Sequence, residues 1–197
     1  MCAGGLKGRV RKVLDPVASL AARLGVHPSA ITVAGLVLST AAGWAFWNGL
    51  FRLAGGLLLA SGFCDMIDGA TALARARVSA SGAFLDSTLD RYSEVAALTG
   101  AFLYYLRSPV PADAAAAAAV VLAVSGSLLV SYAKARAEAV GASCDVGFAE
   151  RPERMVVFIV GAFAGPVHFR WAAWLLAVMS HATAVHRVGH VLRKLRS

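Results

Sequence analysis

The sequence predicts an all-α membrane protein with six transmembrane helices and an N-terminal amphipathic helix that lies on the membrane surface. Two observations lead to this fold class. Hydrophobic residues make up 58% of the 197 residues and charged residues only 15%, a composition too apolar for an ordinary soluble domain. The apolar segments are also close to the length of about 20 residues that a helix needs to cross a bilayer.

Residues 1–27 form the first predicted unit, and its main element is a helix over residues 6–26. Apolar residues recur there every three or four positions, while the remaining surface is rich in Lys and Arg. Such a helix binds the membrane interface through its apolar face. Pro28 interrupts the chain and Ser29 is a suitable N-cap, so the transmembrane domain is predicted to cover residues 28–197.

Turn residues divide this domain into six predicted spans. The dividing segments are Asn48-Gly49, a basic turn before residue 82, the proline-rich loop 107–111, the polar loop 141–152 and Gly165-Pro166. The spans cover approximately residues 30–50, 53–76, 82–106, 112–138, 153–165 and 170–192.

The distribution of Lys and Arg predicts the orientation in the membrane. Six spans put both termini on one side, and 16 of the 19 Lys and Arg residues fall on that side, with only Arg52, Arg107 and Arg170 opposite. The positive-inside rule places the richer side in the cytoplasm, and we expect the protein in the plasma membrane. The net charge of +8 therefore reflects topology and anionic lipids, and no nucleic-acid partner is predicted.

Four carboxylates lie within two otherwise apolar helical segments: Asp65, Asp68, Asp86 and Asp90. The members of each pair are three or four residues apart and share one helical face. A short turn joins the segments, so all four acids can converge. Buried carboxylates repel each other unless cations lie between them, which predicts a divalent-metal site. Pairing with nearby arginines (Arg75, Arg77 and Arg91) is the structural alternative, and Glu94, on the same face, is expected to bond a hydroxyl or an arginine.

The acid segment resembles the motif of the CDP-alcohol phosphotransferase family, D-x2-D-G-x2-A-R-x8-G-x3-D-x3-D. The sequence matches this motif, with every spacing kept, at Asp65, Asp68, Gly69, Ala72, Gly82, Asp86 and Asp90. It departs from the motif at Leu73, where the family has an arginine that contacts the nucleotide. The resemblance implies an enzyme that transfers the phosphatidyl group of CDP-diacylglycerol to an alcohol and releases CMP.

The resemblance also implies roles for individual residues. The four aspartates would hold two Mg²⁺ ions, or Mn²⁺ in their place, and Asp90 would also be the catalytic base for the acceptor hydroxyl. The donor lipid would contact the start of the first span, where backbone N–H groups can bind phosphate, and positions around the acid motif. This donor-binding set comprises Ser29, Ala30, Ile31, Thr32, Gly69, Ala72, Arg77, Ser79 and Gly82.

A second polar segment, SYAKARAEAVGASCDVGFAERPER, begins at Ser131. It is similar to the corresponding segment of bacterial phosphatidylinositol phosphate synthases and their archaeal relatives. By this likeness, inositol 1-phosphate would be the acceptor, and Ser131, Lys134, Arg154 and Arg193 would bind its phosphate. Clustered Lys and Arg recognise phosphate, but a basic surface for anionic lipids is an alternative interpretation.

Other functions fit parts of the pattern. The same chemistry could serve another acceptor, such as glycerol 3-phosphate, and Leu73 leaves open a degenerate, non-catalytic relative. A divalent-cation transporter would also place acids within spans, although nearer the midplane and with access from both sides. The family likeness further implies a homodimer in contact with membrane lipids.

Overall fold

The computed structural model describes residues 28–74, 79–148 and 150–196, and within these residues every regular element is an α-helix. The helices are α1 (Pro28–Trp47), α2 (Phe51–Ala74), α3 (Ala80–Leu106), α4 (Pro111–Ala139), α5 (Arg151–Ala164) and α6 (Pro166–Lys194). Side chains of residues 68–74 are not described. The predicted amphipathic helix over residues 6–26, and the boundary at residue 27, lie outside the described residues.

The prediction of an all-helical fold is confirmed, and the six helices follow the six predicted spans in order. Two of them are long and apolar enough to cross a membrane by length and composition, over Ser29–Trp47 and Pro111–Ala139. Helix α5 has 14 residues, about 21 Å at 1.5 Å per residue. It is therefore shorter than the roughly 30 Å hydrocarbon core of a bilayer, as the short fifth span predicted.

Aromatic side chains join the helices at one end of the bundle. The rings of Phe46 and Phe51 lie 5.1 Å apart between centroids, and Phe169 lies 5.4 Å from Phe51. The Tyr105 hydroxyl donates a 2.6 Å hydrogen bond to the carbonyl of Pro166. These contacts bring the end of α1, the start of α2, the end of α3 and the start of α6 together, so successive helices run in opposite directions.

Small residues let α1 approach its two neighbours closely. A Cβ atom on Gly100 of α3 would collide with the backbone of Gly43 in α1, so these two helices meet backbone to backbone. On the other side, the Ser61 hydroxyl of α2 donates to the carbonyl of Gly35 at 3.0 Å and pairs with the Ser39 hydroxyl at 2.8 Å. Helix α1 thus fixes the relative position of α2 and α3, which carry the aspartates.

Candidate metal centre and acceptor cavity

The aspartates lie at the end of the bundle opposite the aromatic cluster. Asp65 lies in the C-terminal half of α2, and Asp86 and Asp90 lie in the N-terminal half of α3. Asp65 and Asp86 are half-buried, whereas Asp90 is buried. A Cβ atom on Gly35 would lie 3.2 Å from Asp65 Oδ1, so the absence of a side chain there makes room for this carboxylate. The side chain of Asp68 is outside the described residues.

Arg151 joins two of these carboxylates. Its Nη2 lies 2.7 Å from Asp65 Oδ2, and its Nη1 lies 2.8 Å from Asp90 Oδ1. Arg91 makes a longer contact of 3.4 Å with Asp90 Oδ2. Of the arginines considered as partners from the sequence, only Arg91 is described. The main partner, Arg151, is 61 residues from Asp90 in the chain and was not anticipated in this role.

The arrangement shows that carboxylates from α2 and α3 converge on one positive charge. Carboxylate oxygens are also the ligands that Mg²⁺ and Mn²⁺ prefer, so the donor set fits a divalent ion. Within the described residues, no three His, Cys, Asp or Glu side chains lie close enough together to hold a metal ion. The fourth motif carboxylate, Asp68, is not part of that set, and the guanidinium of Arg151 lies between Asp65 and Asp90.

The predicted donor-binding residues belong to α1, α2, α3 and the segment of chain between α2 and α3. Ser29 and Thr32 belong to the first turns of α1, where Thr32 is buried. Ser79 is the N-cap of α3, because its hydroxyl accepts a 3.0 Å hydrogen bond from the Gly82 N–H. Gly69 and Ala72 belong to α2 but their surroundings are not described, and Arg77 lies outside the described residues. Contacts of this set with the donor stay a prediction.

A large open cavity of about 770 Å³ lies beside the aspartates, between α3, α4, α5 and α6. Five cationic side chains and two acidic ones, Glu138 and Glu150, line it. The formal charge of these lining side chains is +3, although four of the five cations also contact a carboxylate that is not part of the lining. The cationic residues are Arg91, Lys134, Arg151, Arg154 and Arg187.

Three of the four residues predicted to bind the acceptor phosphate line this cavity, namely Ser131, Lys134 and Arg154. Arg193 does not line it, because this exposed side chain turns back along α6 and donates to the carbonyl of Gly189. Arg187 reaches the cavity instead. Buried Ser180 and Thr183 precede Arg187 on one stripe of α6, and this polar stripe on an apolar helix is the sequence feature that could have identified it.

Arg154 is the most buried of the predicted phosphate ligands, with 3% of its side chain exposed. Its Nε and Nη2 donate to the two carboxylate oxygens of Glu94 at 3.0 and 3.2 Å. The Ser127 hydroxyl donates to the same carboxylate. The prediction that Glu94 bonds a hydroxyl or an arginine is confirmed, since it bonds one of each.

Hydrogen bonds from two residues of the cavity wall, Lys134 and Arg187, hold the loop between α4 and α5 in place. Arg187 donates to the carbonyls of Val130 and Val146, both at 2.8 Å, and so connects α4, α6 and this loop. Lys134 donates a 3.0 Å hydrogen bond to exposed Asp145 in the loop. This hydrogen bond, together with the charge of Lys134, lowers the pKa of the Asp145 carboxyl. Lys134 is thereby held at the cavity wall.

Comparison with known proteins extends over most of the chain. Residues 25–185 match the family described as CDP-alcohol phosphatidyltransferase. The archaetidylinositol phosphate synthase of Methanothermobacter thermautotrophicus is 35% identical, over 95% of this chain and 92% of that protein. The phosphatidylinositol phosphate synthase of Corynebacterium glutamicum is 36% identical, over 93% of this chain and 87% of that protein.

Solved structures have the same fold. The crystal structure of Mycobacterium tuberculosis phosphatidylinositol phosphate synthase with CDP-DAG bound matches with a TM-score of 0.83 at 32% identity. That match covers 91% of this chain and 94% of the other. The same enzyme in complex with manganese and citrate matches with a TM-score of 0.84 at 33% identity, over 91% and 88% of the two chains.

Proposed function

Because the chain belongs to the CDP-alcohol phosphatidyltransferase family, we propose that it transfers the phosphatidyl group of CDP-diacylglycerol to inositol 1-phosphate. The products are phosphatidylinositol phosphate and CMP. The observation that carries the choice of acceptor is the cation-lined cavity, whose wall includes two arginines, Arg91 and Arg151, that contact Asp90. A phosphorylated alcohol can place its phosphate among these cations while its hydroxyl reaches the acidic end of α3.

The names of the relatives support the acceptor more strongly than the donor. One relative is named for an archaetidyl product and another for a phosphatidyl product, and each is 35% identical to this chain. Both names include inositol phosphate. The lipid differs between the two groups, whereas the acceptor does not. CDP-diacylglycerol is the proposed donor because CDP-DAG is bound in the mycobacterial structure, which has the same fold.

Family members use a divalent metal, and the mycobacterial structure with manganese agrees with this chemistry. In this chain, Asp65, Asp68, Asp86 and Asp90 are the proposed ligands of two ions, with Mg²⁺ as the resident metal. When bound, the ions would stabilise the charge that develops on the transferred phosphate and on departing CMP. The convergence of Asp65 and Asp90 on one guanidinium supports this assignment for these two residues.

Proton transfer and binding of the acceptor phosphate are assigned to different side chains. Asp90 takes the proton of the inositol hydroxyl, whose oxygen forms a bond to the lipid phosphorus while the bond from that phosphorus to CMP breaks. Ser131, Lys134 and Arg154 bind the acceptor phosphate, with Arg187 beside them in the cavity wall. Arg193 would contribute only after leaving its contact with the Gly189 carbonyl.

The membrane context is also part of the proposal. All six helices span the plasma membrane, residues 1–27 lie on its cytoplasmic surface, and two copies form a homodimer. Two sufficiently long apolar helices and the concentration of Lys and Arg at the acid end support this topology. The acid cluster and the cavity then face the cytoplasm, where water-soluble inositol 1-phosphate can enter.

The decisive experiment measures CMP release by the purified protein with CDP-diacylglycerol, Mg²⁺ or Mn²⁺, and a panel of acceptors. Release with inositol 1-phosphate, but not with free inositol, serine or glycerol 3-phosphate, is the expected result. Release with glycerol 3-phosphate alone would move the assignment to that acceptor. No release with any acceptor or with an archaetidyl donor would favour a non-catalytic relative.

A further inference from the structure

We propose that Arg151 is an internal counter-cation for the metal site. It holds Asp65 and Asp90 together when no metal is bound, competes with the incoming ion for these carboxylates, and turns into the acceptor cavity when the ion displaces it. This inference rests on the proposed function, because it assumes that the same aspartates bind metal during turnover.

The first argument is geometric. The two ends of one guanidinium contact carboxylates from different helices at 2.7 and 2.8 Å. Arg151 therefore uses Asp65 Oδ2 and Asp90 Oδ1, which are proposed metal-ligand atoms. A cation that coordinates both carboxylates through these two oxygens competes with the guanidinium for them, since an oxygen cannot direct the same lone pair to a guanidinium and to a metal ion.

The second argument is that the acceptor cavity can accommodate the Arg151 side chain once it is displaced. Arg151 is the first residue of α5, and 25% of its side chain is exposed. It lines the large cation-rich cavity as well as a small internal cavity next to Ser93 and Glu94. A long arginine side chain can therefore move from the aspartates to the open cavity by rotation about its own bonds, without movement of α5.

The third argument is thermodynamic. Arg151 lines the cavity, but its charge is paired with Asp65 and Asp90. If metal binding releases it from these carboxylates, an anion in the cavity gains a guanidinium that is no longer neutralised by them. Binding of metal and binding of the acceptor phosphate then become coupled, and each increases the affinity for the other by the same factor. Arg151 is accordingly a positioning residue that makes acceptor binding depend on a loaded metal site.

The test measures Mn²⁺ binding to the purified full-length protein by calorimetry or electron paramagnetic resonance, in the absence of substrates. We expect Arg151→Gln to lower the Kd for Mn²⁺ about tenfold, because a charged, bridging competitor is removed. Arg151→Lys keeps the charge but cannot bridge two carboxylates as a planar fork does, so an intermediate Kd is expected. Arg136→Gln removes one charge from exposed α4 surface and should leave the Kd unchanged within about twofold.

A second measurement tests the coupling with inorganic phosphate as the probe. In the wild-type protein, saturating Mn²⁺ should tighten phosphate binding about fivefold or more, and Arg151→Gln should abolish this gain. If Arg151→Gln instead weakens Mn²⁺ binding or leaves it unchanged, Arg151 is not a competitor and the inference is wrong. Should Arg151→Gln fail to fold, an unchanged Kd in Arg151→Lys would overturn the inference equally.

The two proposals fail in different ways. Wild-type protein that binds Mn²⁺ but releases no CMP with any acceptor contradicts the proposed function and leaves the competition measurable. Wild-type protein that is fully active, together with an Arg151→Gln variant of unchanged Mn²⁺ affinity, contradicts only the role of Arg151 as a counter-cation.

Discussion

Glu94 of α3 and Arg154 of α5 form a buried ion pair between positions that are 60 residues apart in the chain. Both carboxylate oxygens accept hydrogen bonds from the guanidinium, and the Ser127 hydroxyl of α4 binds the same carboxylate. Three helices therefore meet at one charged contact, of which Arg154 also lines the acceptor cavity. The contact joins the first turn of α5 to α3, and Arg151, in the same turn, contacts Asp65 and Asp90.

Glu94→Gln should destabilise the fold strongly. The substitution keeps the size of the side chain but removes the carboxylate charge that the buried Arg154 guanidinium contacts, and breaking a buried ion pair in this way costs on the order of 3–5 kcal/mol. Denaturant unfolding of the purified protein in detergent measures the free energy of unfolding. The double variant Glu94→Gln, Arg154→Met also removes the buried guanidinium charge and should recover most of the loss. A single variant as stable as wild type would show that the pair contributes nothing.

Asp90→Asn should abolish turnover while the metal site stays largely intact. An amide cannot accept the hydroxyl proton, so kcat should fall by about 10²–10⁴-fold, while an amide oxygen can still ligate a cation. CMP release and Mn²⁺ affinity, measured on the same preparation, test the loss of turnover and the retention of metal binding, respectively. Glu153→Gln, at an exposed position in the first turn of α5, is the matched control and should retain wild-type rates. Turnover retained in Asp90→Asn would remove the assignment of Asp90 as base.

Leu73→Arg restores the arginine that the family motif has at this position. We expect it to tighten CMP binding about fivefold or more, because a guanidinium adds charge-assisted hydrogen bonds to a phosphate. Equilibrium binding of CMP with Mg²⁺ present is the measurement, and Leu73→Met controls for a change of side chain without charge. Unchanged or weaker binding would show that another group, such as Arg77, already occupies this role.

Gly100→Ala should disrupt the contact between α1 and α3. The added methyl group would collide with the backbone of Gly43, and overpacking of this kind costs on the order of 1–3 kcal/mol. A Cβ atom on Gly56 of α2 would meet nothing within 4 Å. Gly56→Ala is therefore the matched control, and it should leave stability within about 1 kcal/mol of wild type. Equal effects in the two variants would contradict the close approach of α1 and α3.

Local sequence features predicted most of the architecture. Apolar runs and turn residues such as Asn48-Gly49 and Gly165-Pro166 placed six helices in the right order, with ends that differ from the observed ones by a few residues. The spacing of Asp86 and Asp90 likewise predicted a shared helical face. These inferences succeed because helix periodicity and turn chemistry depend on neighbours in the chain.

The sequence could not predict which arginine side chains contact the aspartates. Arg75, Arg77 and Arg91 are the near neighbours in the chain, but the described contacts of Asp65 and Asp90 are dominated by Arg151. Arg187 and Arg193 are both arginines of α6. Arg187 lines the cavity, whereas Arg193 lies on the exposed surface of the helix. Such choices depend on how α2, α3, α5 and α6 pack, which no local pattern contains.

Arg187 and Arg193 provide a direct test of this distinction. Arg187→Gln should raise the KM for inositol 1-phosphate about tenfold, because it removes a cation from the cavity wall and weakens a charge-assisted contact with phosphate. Arg193→Gln should leave KM within about twofold, since that side chain bonds the Gly189 carbonyl outside the cavity. Initial rates of CMP release against inositol 1-phosphate concentration give both values.

Arg187→Lys separates charge from the support of the loop between α4 and α5. Lysine keeps the positive charge but lacks the planar guanidinium whose Nε and Nη1 donate to the carbonyls of Val146 and Val130. If the charge binds the acceptor, Arg187→Lys should recover most of the KM lost in Arg187→Gln, while the thermal stability of both variants falls. A raised KM in Arg193→Gln with a normal one in Arg187→Gln would reverse the assignment and support the residue predicted from the sequence.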